Sequence, residues 1–397
     1  MPEDESALRS WCPLRFVDRK CVRYFLFSTR LASCLSAGSC EIPDDRLARS
    51  GSLILPVMKA VVYDAPRSFS YRETADPKPA ADEALVRIHA CGLCGTDLHI
   101  HEGEFGPRFP LIPGHEFTGE IVAVGVDVPG FHPGQRIVAN SNTVCGTCFY
   151  CMRGDFLLCE NLGAYGVTLN GGFAEYLKIK ADRVFPIHNL KPREAIMVEP
   201  SACALHGIEV LDARAGSDVL LFGAGPTGQV LAQLVKLNGA ARLVVAAPPG
   251  KKLDLIAKLA ADEVAPMDRQ NPDVHRKRLR ELSPNGFDYV IEATGSAAVC
   301  EEALQFVRRR GTLLVYGVYP EKDTARFNPF DLFRGEICIK GSFAQVDSFG
   351  RALAYLESGR VKVDEIVTDE VPLSDYQHAL ELAWSRKGVK TMLVPNS

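Results

Sequence analysis

Four cysteines crowd one short segment, VCGTCFYCMRGDFLLC (residues 144–159), at Cys145, Cys148, Cys151 and Cys159. The spacing C-x2-C-x2-C-x7-C supplies the four thiolates of a closed tetrahedral zinc site, which staples a loop and leaves no coordination position open. A disulfide framework would need an oxidising compartment. The odd total of 13 cysteines, clustered rather than spread, fits a reducing one better. A redox C-x-x-C pair is the third option, but two overlapping pairs stand here outside any thioredoxin-like βαβ unit. Spacing and compartment together point to structural zinc.

A second donor set is dispersed. CGLCGTDLHIHEGEF (91–105) carries Cys94, PGHEFTGEI (113–121) carries His115, and MVEPSACALHG (197–207) carries Glu199 ahead of Pro200. Each residue alone is more often structural. Together a thiolate, an imidazole and a carboxylate make three protein ligands and leave one position for water or substrate, as a catalytic zinc requires. Such an ion acts as a Lewis acid on a bound oxygen.

A third motif is GAGPTG (223–228), a G-x-G-x-x-G whose Gly223, Gly225 and Gly228 stand directly between an apolar strand pattern and a helical one. That context gives the motif its meaning. The glycines allow a tight turn and close backbone approach, and Pro226 and Thr227 open a helix whose N-terminus faces a pyrophosphate. About 20 residues on, an NAD site places an acid on the ribose 2′-hydroxyl. Here that position is Ala247, with Lys251 and Lys252 just after. A small neutral residue removes the repulsion a 2′-phosphate would meet, and a lysine can neutralise it, which favours NADP. If the lysines are merely solvated charges opening the next helix, both NADP and NAD fit.

The elements that must hold these residues follow from the pattern. The chain has 397 residues and a formal net charge of -4, enough for two domains and without the basic face that nucleic acid requires. No apolar run reaches bilayer length, so the expected ligand is a small molecule, with neither nucleic acid nor membrane as partner. Residues 1–57 carry four cysteines without lasting period and begin MPEDES, unlike a secretory or mitochondrial signal. They read as a disordered extension, and the protein as cytoplasmic. Residues 58–197 are short β-type runs broken by Gly and Pro, without a long helical period. Residues 198–339 alternate apolar strands (DVLLF, RLVVAA, FDYVIE, GTLLV) with amphipathic helices, a parallel sheet covered on both faces. Residues 340–397 return to the first domain. EICIKGSF is a candidate edge strand across which two copies can pair.

CGLCGTDLH, PGHEFTGEIVAVG, the four-cysteine run, GGFAEY, EPSACALHG and GAGPTG together resemble the zinc-dependent medium-chain dehydrogenases, over the whole chain from Met58. Glu199 followed by Pro is similar to the polyol, sorbitol-like branch. ANSNTVCGTCFYC, RLVVAAPPG and LVYGVYP resemble the NADP-using fungal D-arabinitol dehydrogenases. The resemblance implies an α/β protein with a β-rich GroES-like catalytic domain and a Rossmann domain. It implies a catalytic zinc at Cys94, His115 and Glu199 and a structural zinc at the four cysteines, two ions per chain. Glu116 would be a carboxylate close to the metal, and Asp97 an acid orienting the site. Thr96 would take the alcohol proton, and His99 would pass it to solvent by way of the cofactor ribose. The nicotinamide would lie near EATG, which includes Thr294. His101 reads as a surface histidine, and His206 as packing. The implied reaction is hydride transfer between a polyol, D-arabinitol giving D-xylulose or D-ribulose, and NADP, in a homodimer or homotetramer. The rivals are an NAD-dependent sorbitol, xylitol or L-threonine dehydrogenase and, from another class, a zinc-bearing scaffold without turnover.

Overall fold

Val219, Leu220, Leu221 and Phe222 are all fully buried, because the strand Asp218–Phe222 has helices over both of its faces. A computed structural model describes residues 57–268 and 270–396 of the chain. The extension expected at 1–57 lies outside the described residues, apart from Val57, which opens the first strand (Val57–Ala65).

Six parallel strands form one sheet, in the order Glu263–Pro266, Arg242–Ala247, Asp218–Phe222, Phe287–Glu292, Val307–Val315, Cys338–Gly341. Numbered along the chain this is 3-2-1-4-5-6, the doubly wound order. It reverses between Asp218–Phe222 and Phe287–Glu292, and ligands bind such sheets outside the strand C-termini at the reversal. The helix Pro226–Leu237 buries Val230, Leu231, Leu234 and Val235 against the sheet, the stripe its sequence period required. The last strand ends at Gly341, so the parallel sheet crosses the boundary expected at 339.

The other half is built on a mainly antiparallel sheet ordered Val367–Pro372, Lys390–Val394, Glu83–Leu93, Glu116–Val124, Arg136–Ala139, Val184–Pro186, with Tyr176–Lys180 also pairing on Glu83–Leu93. The C-terminal segment thus returns to this sheet, its strand Lys390–Val394 lying antiparallel to Glu83–Leu93. Directly after Glu83–Leu93 comes a two-turn helix, Gly95–Glu102, where the sequence pattern held no helix. Its start is fixed by a capping box, in which the Cys94 N–H donates to Asp97 Oδ2 at 2.8 Å. Among the described residues no helix is long and apolar enough to cross a membrane.

Candidate active site

Three strand ends meet at one end of the antiparallel sheet. Cys94 follows the strand Glu83–Leu93, His115 precedes Glu116–Val124, and Lys390 opens Lys390–Val394. The register sets Gly92 opposite Glu116 and Leu93 opposite Thr391. A Cβ on Gly92 would stand 2.1 Å from Glu116 Oε2, so glycine is needed there to let the carboxylate lie against the strand. Sulfur, imidazole and carboxylate therefore converge, and the ligand atoms of Cys94, His115 and Glu116 lie within 4.8 Å of one another.

The surroundings are dry. His115, Glu116, Asp97, Glu199 and Lys390 are all buried. Glu116 pairs with Lys390, and Asp97 Oδ1 stands 3.8 Å from His115 Nδ1. Yet Asp97 Oδ1, His115 Nδ1 and Glu116 Oε1 lack a hydrogen-bond partner, which is costly for buried polar atoms. Burial would push the His115 imidazole down, but Asp97, Cys94 and Glu199 carry it well above its usual range. Burial raises the Asp97 and Glu199 carboxyls. It also opposes the charge on Lys390, but Glu116, Cys94 and Asp97 together raise the ammonium. A soft thiolate, an imidazole and carboxylates with unengaged lone pairs fit a divalent ion such as zinc.

Glu199 stands beside this group. It lies in the first turn of the helix Val198–Leu211, and the Cys203 thiol, one turn on, donates to its Oε1 at 3.5 Å. Thr96 and His99 sit on the helix Gly95–Glu102, three residues apart and so on one face. The Cys94 thiol lies 3.8 Å from Thr96 Oγ1. His101 is a correction: it is buried rather than at the surface, its Nδ1 2.9 Å from the Tyr63 hydroxyl and its ring edge-on to Trp384. It turns inward because residue 101 falls on the helix face opposite His99. His206 is half-buried, its ordinary basicity lowered by burial.

The four cysteines come together as a separate group, all sulfurs within 4.8 Å, at 3.6 Å for Cys145–Cys159 and 3.9 Å for Cys148–Cys159. None of the nine described cysteines is in a disulfide. The N–H groups of Cys145 and Asn161 point at Cys159 Sγ. Backbone N–H groups of Thr147 and Cys148 draw the Cys145 thiol down to about 5, while burial pushes Cys151 up to about 12. Sulfurs ringed by N–H donors are suited to hold a cation as thiolates.

The glycine turn lies at the sheet reversal. Gly223 has φ of 114°, a conformation open only to glycine, and Gly225 caps the helix Pro226–Leu237 with Pro226 and Thr227 in its first turn. A Cβ on Gly228 would meet the Gly223 carbonyl oxygen at 2.5 Å. Beside it, buried Glu292 accepts from the Thr294 N–H at 2.7 Å, the Thr294 hydroxyl, the Gly295 N–H at 3.3 Å and the Tyr319 hydroxyl. Ala247 ends its strand, and Lys251 and Lys252 open the helix Lys251–Leu259. Tyr316 links the two regions. Burial, then the charges of Cys203, Glu199 and Cys94, push its phenol well up, and Thr227 of the glycine turn partly offsets them.

Sequence reasoning missed Lys390, Cys203 and Tyr316. Cys203 was findable, since it is four residues from Glu199 on one helix. Lys390 and Tyr316 gave no local signal. A cavity of about 1130 Å³ opens elsewhere, lined by residues such as Met58, Tyr165 and Lys180, and shares no wall with any of these groups.

Residues 80–189 match the alcohol dehydrogenase GroES-like domain, and residues 226–358 match the zinc-binding dehydrogenase family. The chain is 48% identical over 340 residues to D-arabinitol dehydrogenase 1 of Uromyces fabae, covering 85% of this chain and 97% of that protein. It is 36% identical to D-altritol 5-dehydrogenase of Agrobacterium fabrum, over 75% and 88% of the two chains. A zinc-binding dehydrogenase structure from Sinorhizobium meliloti, bound to NADP, superposes with a TM-score of 0.81 at 32% identity, over 86% of this chain and 100% of that one. With a GroES-like half and a Rossmann half, the chain belongs to the zinc-dependent medium-chain alcohol and polyol dehydrogenases, oxidoreductases that act on alcohol groups.

Proposed function

We propose that this chain is an NADP-preferring polyol dehydrogenase with two zinc ions, oxidising D-arabinitol to D-xylulose or D-ribulose. The observation that carries the reading is the convergence of Cys94, His115 and Glu116, with Glu199 beside them, where buried donor atoms lack partners. Cys94, His115 and Glu199 hold the catalytic ion in this reading. Glu116 is already paired with Lys390, whereas Glu199 is engaged by a weak thiol donor. Cys145, Cys148, Cys151 and Cys159 hold the structural ion. Zinc at the first site would supply Lewis acidity that makes an alcohol oxygen easier to deprotonate near neutral pH, and a nicotinamide would supply the hydride acceptor.

The chain's own residues do the rest. Asp97 fixes the Cys94 backbone through its 2.8 Å bond and faces His115, so it orients two donors at once. Thr96, with its hydroxyl next to the Cys94 sulfur, takes the proton leaving the substrate, and His99 delivers it to water. Gly223, Gly225, Pro226, Thr227 and Gly228 receive the dinucleotide pyrophosphate, and Thr294 borders the nicotinamide. In this reading the β-rich domain, 58–197 completed by the segment after Gly341, carries the metal donors, and the parallel-sheet domain, from 198 to Gly341, carries the dinucleotide turn.

The NADP preference rests on the neutral Ala247 at its strand end and on Lys252. Lys252 opens the helix that follows Ala247, where a lysine can neutralise a 2′-phosphate. The substrate rests on the likeness to D-arabinitol dehydrogenase 1. The edge strand Cys338–Gly341 with exposed Phe330, Phe333 and Phe343 supports a homodimer or homotetramer. Nine unbridged cysteines are in keeping with a cytoplasmic location.

Initial rates across a panel of polyols, with NADP and NAD side by side, should give the highest kcat/KM for D-arabinitol with NADP; an NAD preference of about tenfold or more, near 1.4 kcal/mol, overturns the cofactor assignment. Ala247→Asp should turn the ratio toward NAD by about tenfold or more, since like charges brought together cost several kcal/mol; an unaltered ratio counts against the pocket. Glu199→Ala should lower kcat/KM by about 10³-fold, some 4 kcal/mol of lost transition-state stabilisation, with metal content falling to one zinc per chain. Full activity in that variant removes Glu199 from the ligand set.

A further inference from the structure

His99 is held by a contact that the reaction scheme does not use. Its Nδ1 lies 2.5 Å from Glu104 Oε2, with the two side chains only 19% and 33% exposed. The chain geometry explains why they meet. The helix Gly95–Glu102 ends with Gly103 at φ of 85°. The Gly103 N–H donates to the Ile100 carbonyl at 3.0 Å and the Glu104 N–H to the His99 carbonyl at 2.9 Å. This is a Schellman end, in which the residue after the left-handed glycine folds back over the last turn, and an apolar pair commonly forms there. Here the pair is an imidazole and a carboxylate.

A second contact fixes the ring from the side. Phe105 lies with its centroid 4.9 Å from that of His99. Its backbone is left-handed, with φ of 67°, a strained conformation for a non-glycine residue that recurs at functional sites. The Phe105 N–H also reaches Glu321 Oε1 at 3.4 Å, on the loop after the strand Val307–Val315 of the parallel sheet. The imidazole is thus bounded by a carboxylate and a phenyl ring on one segment tied to the nucleotide half.

We propose that Glu104 is a positioning residue for His99, selecting the tautomer and ring orientation in which Nε2 is free to receive the substrate proton. The inference rests on the reading of His99 as the proton exit. A carboxylate accepts only, so Nδ1 carries the hydrogen and Nε2 presents its lone pair. A proton arriving at Nε2 makes an imidazolium whose Nδ1–H stays bonded to Glu104. It then leaves from Nε2 to water, and neither side chain is changed overall. His101 cannot substitute, because its ring is engaged by Tyr63 on the inner face. A merely structural pair would leave the rate unchanged, which is the alternative to be tested.

The experiment uses the zinc-replete full chain and reads the single-turnover rate of reduced dinucleotide formation, with whichever cofactor supports turnover, in Glu104→Gln, Glu104→Ala, His99→Gln and the double variant His99→Gln/Glu104→Gln. Glu104→Gln should lower the single-turnover rate about tenfold, less than the roughly 10²–10⁴-fold a general acid–base group itself commands because Glu104 acts through His99, with KM for polyol and dinucleotide within about twofold and the melting temperature unchanged. Added formate or acetate, which can take the place of the missing carboxylate, should restore much of the loss in Glu104→Ala, and the double variant should be no slower than His99→Gln. If His99→Gln is slow but both Glu104 variants run at the parent rate, or the two losses simply multiply, the role of Glu104 is refuted while the relay stands. If His99→Gln itself keeps the parent rate, the relay reading fails and Glu104 falls with it.

Discussion

Asp97, His115, Glu116 and Glu199 are drawn out of water, with half-buried Cys94 beside them, around one ammonium, that of Lys390. Three of their polar atoms, Asp97 Oδ1, His115 Nδ1 and Glu116 Oε1, have no hydrogen-bond partner. Each such atom costs about 1–3 kcal/mol, so together they rival the whole net stability of a domain, about 5–15 kcal/mol. The raised Asp97 and Glu199 carboxyls report the same strain, since burial, and then the Glu116 carboxylate, disfavour their charge. Sulfur, nitrogen and oxygen donors around one point share a single remedy, a divalent ion, which would satisfy the lone pairs and the excess negative charge together.

The rest of the molecule keeps that arrangement in register. An antiparallel sheet brings residues 94, 115–116 and 390 to one end although they are far apart in sequence, and Gly92 leaves room for the Glu116 carboxylate. The parallel sheet sets its glycine turn at the strand reversal. The first turn of the helix Val198–Leu211 carries Glu199, and Tyr316 stands between the donor group and Thr227. The four cysteines form a separate cluster of their own.

What could be read in the sequence was whatever is local. GAGPTG between a strand and a helix, the four cysteines and the buried stripe of Val230, Leu231, Leu234 and Val235 all announce themselves within a few residues. Gly95–Glu102 did not, because a two-turn helix held by an end cap leaves too short a period to detect, although Asp97 and Gly103 mark its ends. His101 was misjudged for the same reason, since without the helix its inward face is invisible. Lys390 opposite Glu116 is a product of strand pairing between distant segments, and no window of sequence contains both.

The claim that two different metal environments coexist in one chain is tested most directly by zinc X-ray absorption on the metal-saturated protein, together with the metal stoichiometry. Two ions per chain, one ringed by sulfur alone and one by a single sulfur with nitrogen and oxygen, is the predicted result. A single all-sulfur ion, however much zinc is supplied, would contradict the account.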